Sequence, residues 1–458
     1  MPSQTPAAAS AVTSAAPPRA RARYPGETLV ALRRDALGFF TRLAREHGDV
    51  VRFSLGGERA YLVSDPELVR EVLVTRNRSF VKGRALDRAR FVLGEGLLTS
   101  NGDFHLRQRR LAQPAFHRER IAGYAATMTA FTERHQARWR DGETLEVAEA
   151  MARLTLAIAG KTLFDADVED EAGDIGAALA ATMRMFELVS VPFAELLLLL
   201  PLPGVVRLRR ARSRLDATIY RIIAERRAVG RDRGDLLSML MLARDEEGDG
   251  GAMSDRQLRD EALTLFLAGH ETTANALTWA WSVLAEHPAV EQTLHAEVDS
   301  VLGGRAPGWD DLPRLPFTRA VLAESMRLRP PVWIIGRRAT EDVPLGRWTI
   351  PRRSLVVMSQ WVVHRDPRWW PEPERFDPTR WLAERGRAQP KLAYFPFSAG
   401  TRVCIGEQFA WTEGVLVLAT IARRWRLRRD PGVAPARPRP VLTLRTDGPV
   451  PLRLERRA

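Results

Sequence analysis

Phe397-Ser-Ala-Gly400-Thr-Arg402-Val-Cys404-Ile-Gly406 is the stretch on which the reading of this 458-residue chain turns. Cys404 is the only cysteine. A lone cysteine is ordinarily a small buried hydrophobe, but the neighbours here argue for a ligand. Two glycines bracket the sulfur, at −4 and +2. Without a Cβ they allow tight backbone conformations and close approach to a flat ligand. Such a loop can aim amide N–H groups at a thiolate and tune a metal bound to it. The sulfur also stands just before an apolar helical run, from about Ile405 to Trp425, where the helix dipole favours an anion. Arg402 can pair with an anion beside the metal, and Phe397 offers an aromatic wall. A single thiol excludes an internal disulfide framework and a cysteine-held iron–sulfur cluster.

Upstream, residues Asp255 to His287 read as one long helix. Ser254 and Gln257 form its capping box, and His287-Pro288 ends it. Its middle carries Ala268-Gly269-His270-Glu271-Thr272-Thr273. A second helix covers about Phe317 to Leu328 and holds Glu324 and Arg327 on one face. Downstream of its Pro330-Pro331 break comes Pro373-Glu374-Arg375-Phe376. A further helical stretch includes His105 and Arg109, one turn apart. Residues 28 to 80 mix strand signals (DVVRFSL, RAYLVS) with a helical one (PELVREVLV), and residues 334 to 394 read as strands and proline-rich loops. The fold class is mainly α with a minor β region. Residues 1 to 22, rich in Ala, Pro and Ser, are expected to be disordered, and residues 23 to 458 to form a single domain.

The ten-residue segment resembles the F-x-x-G-x-R-x-C-x-G haem-binding signature of cytochromes P450, and every fixed position matches. The resemblance implies haem b with Cys404 as its axial thiolate and metal ligand. The haem would lie between the long distal helix and the proximal helix that follows the cysteine loop. Phe397, Arg402 and Gly406 would border it. The segment at 268 resembles the family's oxygen-activation motif: Ala268 and Gly269 leave room for porphyrin and O2, Thr272 is the catalytic alcohol, and Glu271 is the acid that feeds protons. Glu324, Arg327 and Arg375 take the places of a structural triad. His105, Arg109, Arg402 and Arg337 take those of the propionate partners, with Arg338 able to replace Arg337. The thiolate favours O–O cleavage, so the implied activity is that of a haem-dependent monooxygenase of the soluble bacterial type.

Composition constrains the partners. The net charge is +13, from 69 basic and 56 acidic residues, and only Lys82, Lys161 and Lys391 are lysines. The arginines are spread along the chain, which speaks against a nucleic-acid-binding arm. No signal peptide or membrane-spanning run is legible; the longest apolar stretch, Leu196 to Leu200, is short and followed by prolines. A cytoplasmic location is expected. The sequence carries no flavin or nicotinamide fingerprint, so external electrons are expected from an acidic ferredoxin and its reductase. That ferredoxin would dock near Arg107, Arg110 and Arg402. The substrate is expected to be lipophilic, fatty-acid-like or terpenoid- or polyketide-like. Its pocket would be lined by residues 84 to 98 and 183 to 200, by Leu267 and Ala268, and by residues 332 to 335. Two other classes compete: a peroxide-driven peroxygenase, which would not need the Glu271-Thr272 pair, and a non-catalytic haem carrier.

Overall fold

The structure is a computed structural model that describes residues 16–165, 200, 202–248, 250–382 and 389–457. Helices dominate: α1 (Glu27–His47), α2 (Pro66–Arg70), α3 (Arg84–Leu93), α4 (Gly102–Ala112), α5 (Arg118–Gln136) and α6 (Val147–Phe164) come first. They are followed by α7 (Pro203–Val229), α8 (Leu236–Leu242), α9 (Asp255–Leu284), α10 (Pro288–Leu302), α11 (Pro316–Leu328), α12 (Gln360–Val363) and α13 (Glu407–Ala422). The expected capping box at α9 is present: Gln257 N–H donates to Ser254 Oγ at 3.3 Å, and Ser254 N–H donates to Gln257 Oε1 at 2.8 Å. Helix α9 ends at Leu284 rather than at His287, and the chain turns there to start α10 at Pro288. Helix α13 stops short of Trp425, because Trp425–Arg428 is drawn into a strand paired with residues 453–456.

The sheets are small. Strands β1 (Val50–Leu55), β2 (Glu58–Val63), β3 (Phe80–Lys82), β5 (Ile335–Ala339) and β8 (Leu355–Met358) form one five-stranded sheet in the order β1-β2-β8-β5-β3. Gly56 and Gly57, both at positive φ, make the two-residue turn that joins β1 to β2, as such hairpins require. A three-stranded sheet joins β4 (Thr144–Glu146), β12 (Pro451–Arg456) and β9 (Trp425–Arg428). Two pairs complete the β structure, β6 (Val343–Leu345) with β7 (Trp348–Ile350) and β10 (Pro438–Pro440) with β11 (Leu444–Thr446).

The largest core cluster joins α5, α6, α9, α11 and α13 around Met128, Leu154, Trp281, Val321 and Leu416. It holds the long helix α9 and the proximal helix α13 in one rigid body. At the other end of the chain, the expected disorder through residue 22 is corrected. Ala20 N–H donates to Arg52 O at 2.9 Å and Arg52 N–H donates to Pro18 O at 2.8 Å. Strand β1 is an edge strand, and its unpaired backbone groups recruit this segment. Residues 1–15 lie outside the described residues.

The buried ion pair beneath the cysteine loop also differs from expectation. Glu324 and Arg327 are fully buried and bidentate, at 2.9 and 2.8 Å. All five guanidinium N–H groups of Arg327 find acceptors. Two go to Glu324 and the others to the carbonyls of His364, Pro373 and Arg375. The Arg375 side chain is not the third member: it is exposed and pairs with Glu372. Arg380 takes that place, 3.4 Å from Glu324, and the Trp381 indole N–H donates to the same carboxylate at 2.9 Å. Two Pro-x-Arg-aromatic runs stand five residues apart, at 373–376 and 378–381. The second turns its arginine inward because Asp377 N–H bonds Glu324 at 3.0 Å and anchors that turn.

Breaking this pair leaves an uncompensated buried charge, which costs about 3–5 kcal/mol. Glu324→Ala is therefore expected to lower the free energy of urea unfolding by that amount, with Arg380→Ala following in the same direction. Arg375→Ala should change it by under about 0.5 kcal/mol, as surface pairs do. Equal losses at Arg375 and Arg380 would contradict the assignment.

Candidate active site

One cavity of about 2370 Å³ runs between α9 and the Cys404 loop, and continues to α1 and the β10–β11 hairpin. The loop's shape follows from two constraints. Gly400 has a φ of 71°, and a Cβ there would lie 2.0 Å from Leu73 O. Both the dihedral and the contact demand glycine. Leu73 belongs to a π-helical turn, Glu71–Thr75, against which the loop is seated. Cys404 N–H donates to Phe397 O at 2.9 Å and closes the loop just before α13. The thiol is exposed on the cavity wall, with protein packed closely around its base. Burial pushes it up to about 11, against the opposing pull of the Gly406 N–H and the Arg109 charge. A thiolate at this place asks for a cation in the cavity, as a metal would supply.

The cavity wall also carries cations that lack anions. Arg109 donates to Val403 O at 2.7 Å, Arg337 to Gly336 O at 3.0 Å, and Arg402 to Ser100 O and Asn101 Oδ1, both at 3.1 Å. Lys82 donates to Leu97 O. None of these four has a carboxylate within ion-pair range among the described residues. Burial first, and then repulsion from Arg402 and Arg337, pushes Lys82 down to about 6. Burial and Arg402 bring Arg337 down to about 10. Glu261, which tempers Lys82, is itself pushed up to about 7 by burial; it accepts from Leu97 N–H and Gln108, both at 3.0 Å. His105 bonds Ser100 through Nδ1 at 3.2 Å, and its buried Nε2 has no partner in the protein. Burial, with Lys82 and Arg402 beside it, pushes this imidazole down to about 3. So many buried or half-buried cations without an anionic partner form a cradle for a ligand with at least two negative charges. The two propionates of haem fit it.

The expected set of His105, Arg109, Arg337 and Arg402 is thus brought to one wall. Both Arg337 and Arg338 line the cavity, but they differ in partners: Arg337 is buried and has no carboxylate beside it, whereas Arg338 pairs with Asp87 at 3.4 Å. Lys82 was not foreseen from sequence. Its signal was faint: a lysine ending a short strand of a chain that otherwise uses arginine.

Helix α9 forms the opposite wall. Ala268, Gly269 and Thr272 face the cavity although most of the helix around them is buried. Nothing stands within 4 Å of where a Gly269 Cβ would be, so a flat group can approach the backbone there. Thr272 Oγ1 donates to Ala268 O at 2.6 Å, which leaves its lone pairs as acceptors toward the cavity. Glu271 lines the cavity but is not a free acid. Its Oε1 accepts from Thr443 at 2.6 Å and from Arg445 Nη2 at 2.7 Å, both on or beside β11. Asn275 in turn donates to Thr443 at 3.2 Å.

The apolar end of the cavity takes in Phe91, Leu97, Leu98, Leu267 and residues 332–335, as expected. Residues 183 to 199 of the expected lining lie outside the described residues. Helix α1 and residues 438–443 also contribute, which the sequence did not indicate. Two of the expected docking arginines are not free cations. Arg110 is bidentate to the buried Asp245 at 2.9 Å, and Arg107 approaches the same carboxylate at 3.5 Å. Arg402 faces the cavity instead.

The family model Cytochrome P450 matches residues 25–449. Cyclooctatin synthase of Streptomyces melanosporofaciens is 44% identical over 88% of each chain, and cyclooctat-9-en-7-ol 5-monooxygenase of the same organism is 41% identical over 89% and 88%. Pentalenene oxygenase of Streptomyces avermitilis is 38% identical over 87% and 88%. Among solved structures, the cytochrome P450DA heme domain superposes with a TM-score of 0.88 at 30% identity, covering 97% of this chain and 98% of that one. Fold and relatives define a haem-thiolate monooxygenase. The chain belongs to the cytochrome P450 family. Among the described residues, no helix is long and apolar enough to cross a membrane.

The cation cradle predicts a proton effect. With Lys82 lowered to about 6, its amine is neutral above that pH, and the buried charge is a folding penalty that grows as pH falls toward 6. A dianionic ligand restores the ammonium. Haem uptake by the apoprotein at pH 8, read with an indicator in weak buffer, should therefore show little net proton exchange: Lys82 gains one proton, and the Cys404 thiol gives one up as it becomes a ligand. Lys82→Met should uncover the thiol's share, a release of about one proton, and weaken haem retention. Equal proton exchange by parent and variant would count against the cradle.

Proposed function

We propose that haem b occupies this cavity with Cys404 as its axial thiolate. In this reading the enzyme inserts one atom of O2 into a lipophilic, terpenoid-like molecule. One observation carries the reading: a single cavity faces the sole thiol of the chain on one wall, and on the same side four cations bonded only to neutral oxygens. Bound thiolate-ligated haem supplies reductive activation of O2 and transfer of one oxygen atom to a C–H or C=C bond.

The rest is done by the chain. Lys82, His105, Arg109, Arg337 and Arg402 hold the propionates and fix the ring plane. Phe397 and Gly406 wall the thiolate side, and the Gly406 N–H offsets part of the sulfur's negative charge. Ala268 and Gly269 keep the opposite side open. Thr272 presents an acceptor oxygen there and orders the water that brings protons. Glu271 is the acid that relays protons. Its ion pair with Arg445 turns it toward β11, so relay to Thr272 goes through water or follows release from Arg445. The apolar lining excludes other water and orients the substrate.

Relatives named for cyclooctat-9-en-7-ol and pentalenene support a terpenoid-like substrate, as does the apolar mouth. The sequence shows one cysteine and no flavin or nicotinamide fingerprint. That supports electron supply by a separate protein, an acidic ferredoxin with its reductase. The single thiol asks for no oxidising compartment, in keeping with a cytoplasmic enzyme.

Replacing Cys404 with Ala or His should remove the red-shifted Soret band of the reduced, CO-bound protein; a retained band would sink the ligand assignment. Thr272→Ala should keep reductant consumption while product formed per electron falls about tenfold or more, and Glu271→Gln should lower turnover about 10²-fold or more. A spectral titration with terpenoids and fatty acids should give a low-to-high-spin shift for terpenoids at lower concentration. Tighter fatty-acid binding would reverse the substrate reading.

A further inference from the structure

Beside the mouth of the cavity lies a second groove, of about 760 Å³, whose walls hold Arg19, Arg21, Arg52, Arg59, Arg84, Arg352 and Arg353. It shares Gly56, Glu58 and Arg84 with the main cavity, so the two are contiguous. The basic charge is not balanced locally. Among the groove's lining residues the one carboxylate is Glu58, which Arg84 approaches at 3.8 Å. The guanidinium groups of the other six have no carboxylate within 4 Å among the described residues, although Asp342 accepts the backbone N–H of Arg352 at 2.6 Å. Residues 1–15, which precede them, contain no Asp or Glu. Seven guanidinium groups against one carboxylate repel one another unless an anion lies between them.

The backbone concentrates these charges. The segment 18–20 is held alongside β1 by its two hydrogen bonds to Arg52, which brings Arg19 and Arg21 beside Arg52. Arg59 follows the Gly56-Gly57 turn. Arg352 and Arg353 come from the turn before β8, the strand paired with β2. Arg353 sits at a φ of 65°, a left-handed position costing about 1 kcal/mol for a residue with a Cβ. Glycine would make this turn more readily, so the arginine is not explained by backbone geometry.

The mouth next to this groove combines charge with exposed apolar side chains. Arg33 and Arg34 of α1 line it, exposed and with no ion pair among the described residues, together with Val30, Phe91 and Leu442, which are 37%, 41% and 37% exposed. We propose that this face, the arginine groove with the adjoining mouth, docks on an anionic lipid bilayer, so that lipophilic substrate passes from the bilayer into the cavity. Arginines would meet the phosphate head groups as in other polybasic membrane surfaces, and the apolar rim would enter the interface. Nucleic acid or an acidic redox protein would match the charge but not the apolar rim. Nor does the groove include any residue of the Cys404 loop or α13, where an electron donor must come close.

The test is co-sedimentation of the haem-loaded full chain with vesicles of phosphatidylcholine alone, or mixed in equal parts with phosphatidylglycerol, at low and high salt. Binding is expected only to the anionic vesicles, and it should fall steeply as salt screens the charges. The double variant Arg59→Glu/Arg352→Glu should partition about tenfold less or weaker still, with its CO-bound Soret band unchanged as the check on folding. Arg59→Gln/Arg352→Gln should lie between it and the parent. Arg153→Glu, on exposed α6 surface outside the groove, should bind as the parent does. Equal binding to both vesicle types, or undiminished binding by the double variant, would overturn the proposal. So would retention on heparin or saturable pyrophosphate binding without vesicle binding, since the groove would then serve a soluble polyanion. The measurement reads binding and not turnover, so its failure leaves the oxygenase assignment standing.

Discussion

The fully buried ion pair of Glu324 and Arg327 is the interaction on which the rest of this structure hangs. A buried pair rarely adds stability over apolar residues of the same size. What it provides here is position. Arg327 spends its remaining donors on the carbonyls of His364, Pro373 and Arg375, and so fixes an irregular segment that has no strand or helix to hold it. His364 then accepts the N–H of Phe395 at 3.0 Å, and Tyr394 OH donates to Ala323 O at 3.1 Å. Two residues later Phe397 O receives the N–H of Cys404. The place of the thiol is thus inherited, bond by bond, from a charge pair in helix α11.

Around that fixed point the protein separates its charges. Among the described residues the thiol has no counter-ion besides the nearby Arg109, and the cavity wall has cations without carboxylates. Each half is unfavourable alone, and a metalloporphyrin with acidic side arms satisfies both. Lys82, Arg337 and His105 are all driven toward neutrality by burial. Their strain is a reservoir that ligand binding discharges.

The sequence was most legible where chemistry leaves no choice. The positive φ of Gly400 and the bond from Cys404 N–H to Phe397 O are local requirements of one short window. The long helix was legible because its cap, Ser254 with Gln257, and its period are local too. The errors arose where position depends on distant partners. Arg375 and Arg380 sit in near-identical runs, and only Asp377 bonding to Glu324 decides which of them turns inward. Lys82 carries no local sign that residues 337 and 402 will surround it. Glu271 was readable as an acid but not as one tied to Arg445, which comes 174 positions later and meets it only through the β10–β11 hairpin. Arg107 and Arg110 looked like free surface charges because Asp245 lies far away in the chain.

The cradle of cations also has a consequence for the order of assembly. Its members run from residue 82 to residue 402, so no short stretch of the chain can build it. Strand β3, helix α4, strand β5 and the cysteine loop must first be brought together by the fold. An anion seated on this wall would then tie these distant segments to one another and resist their separation when the protein opens.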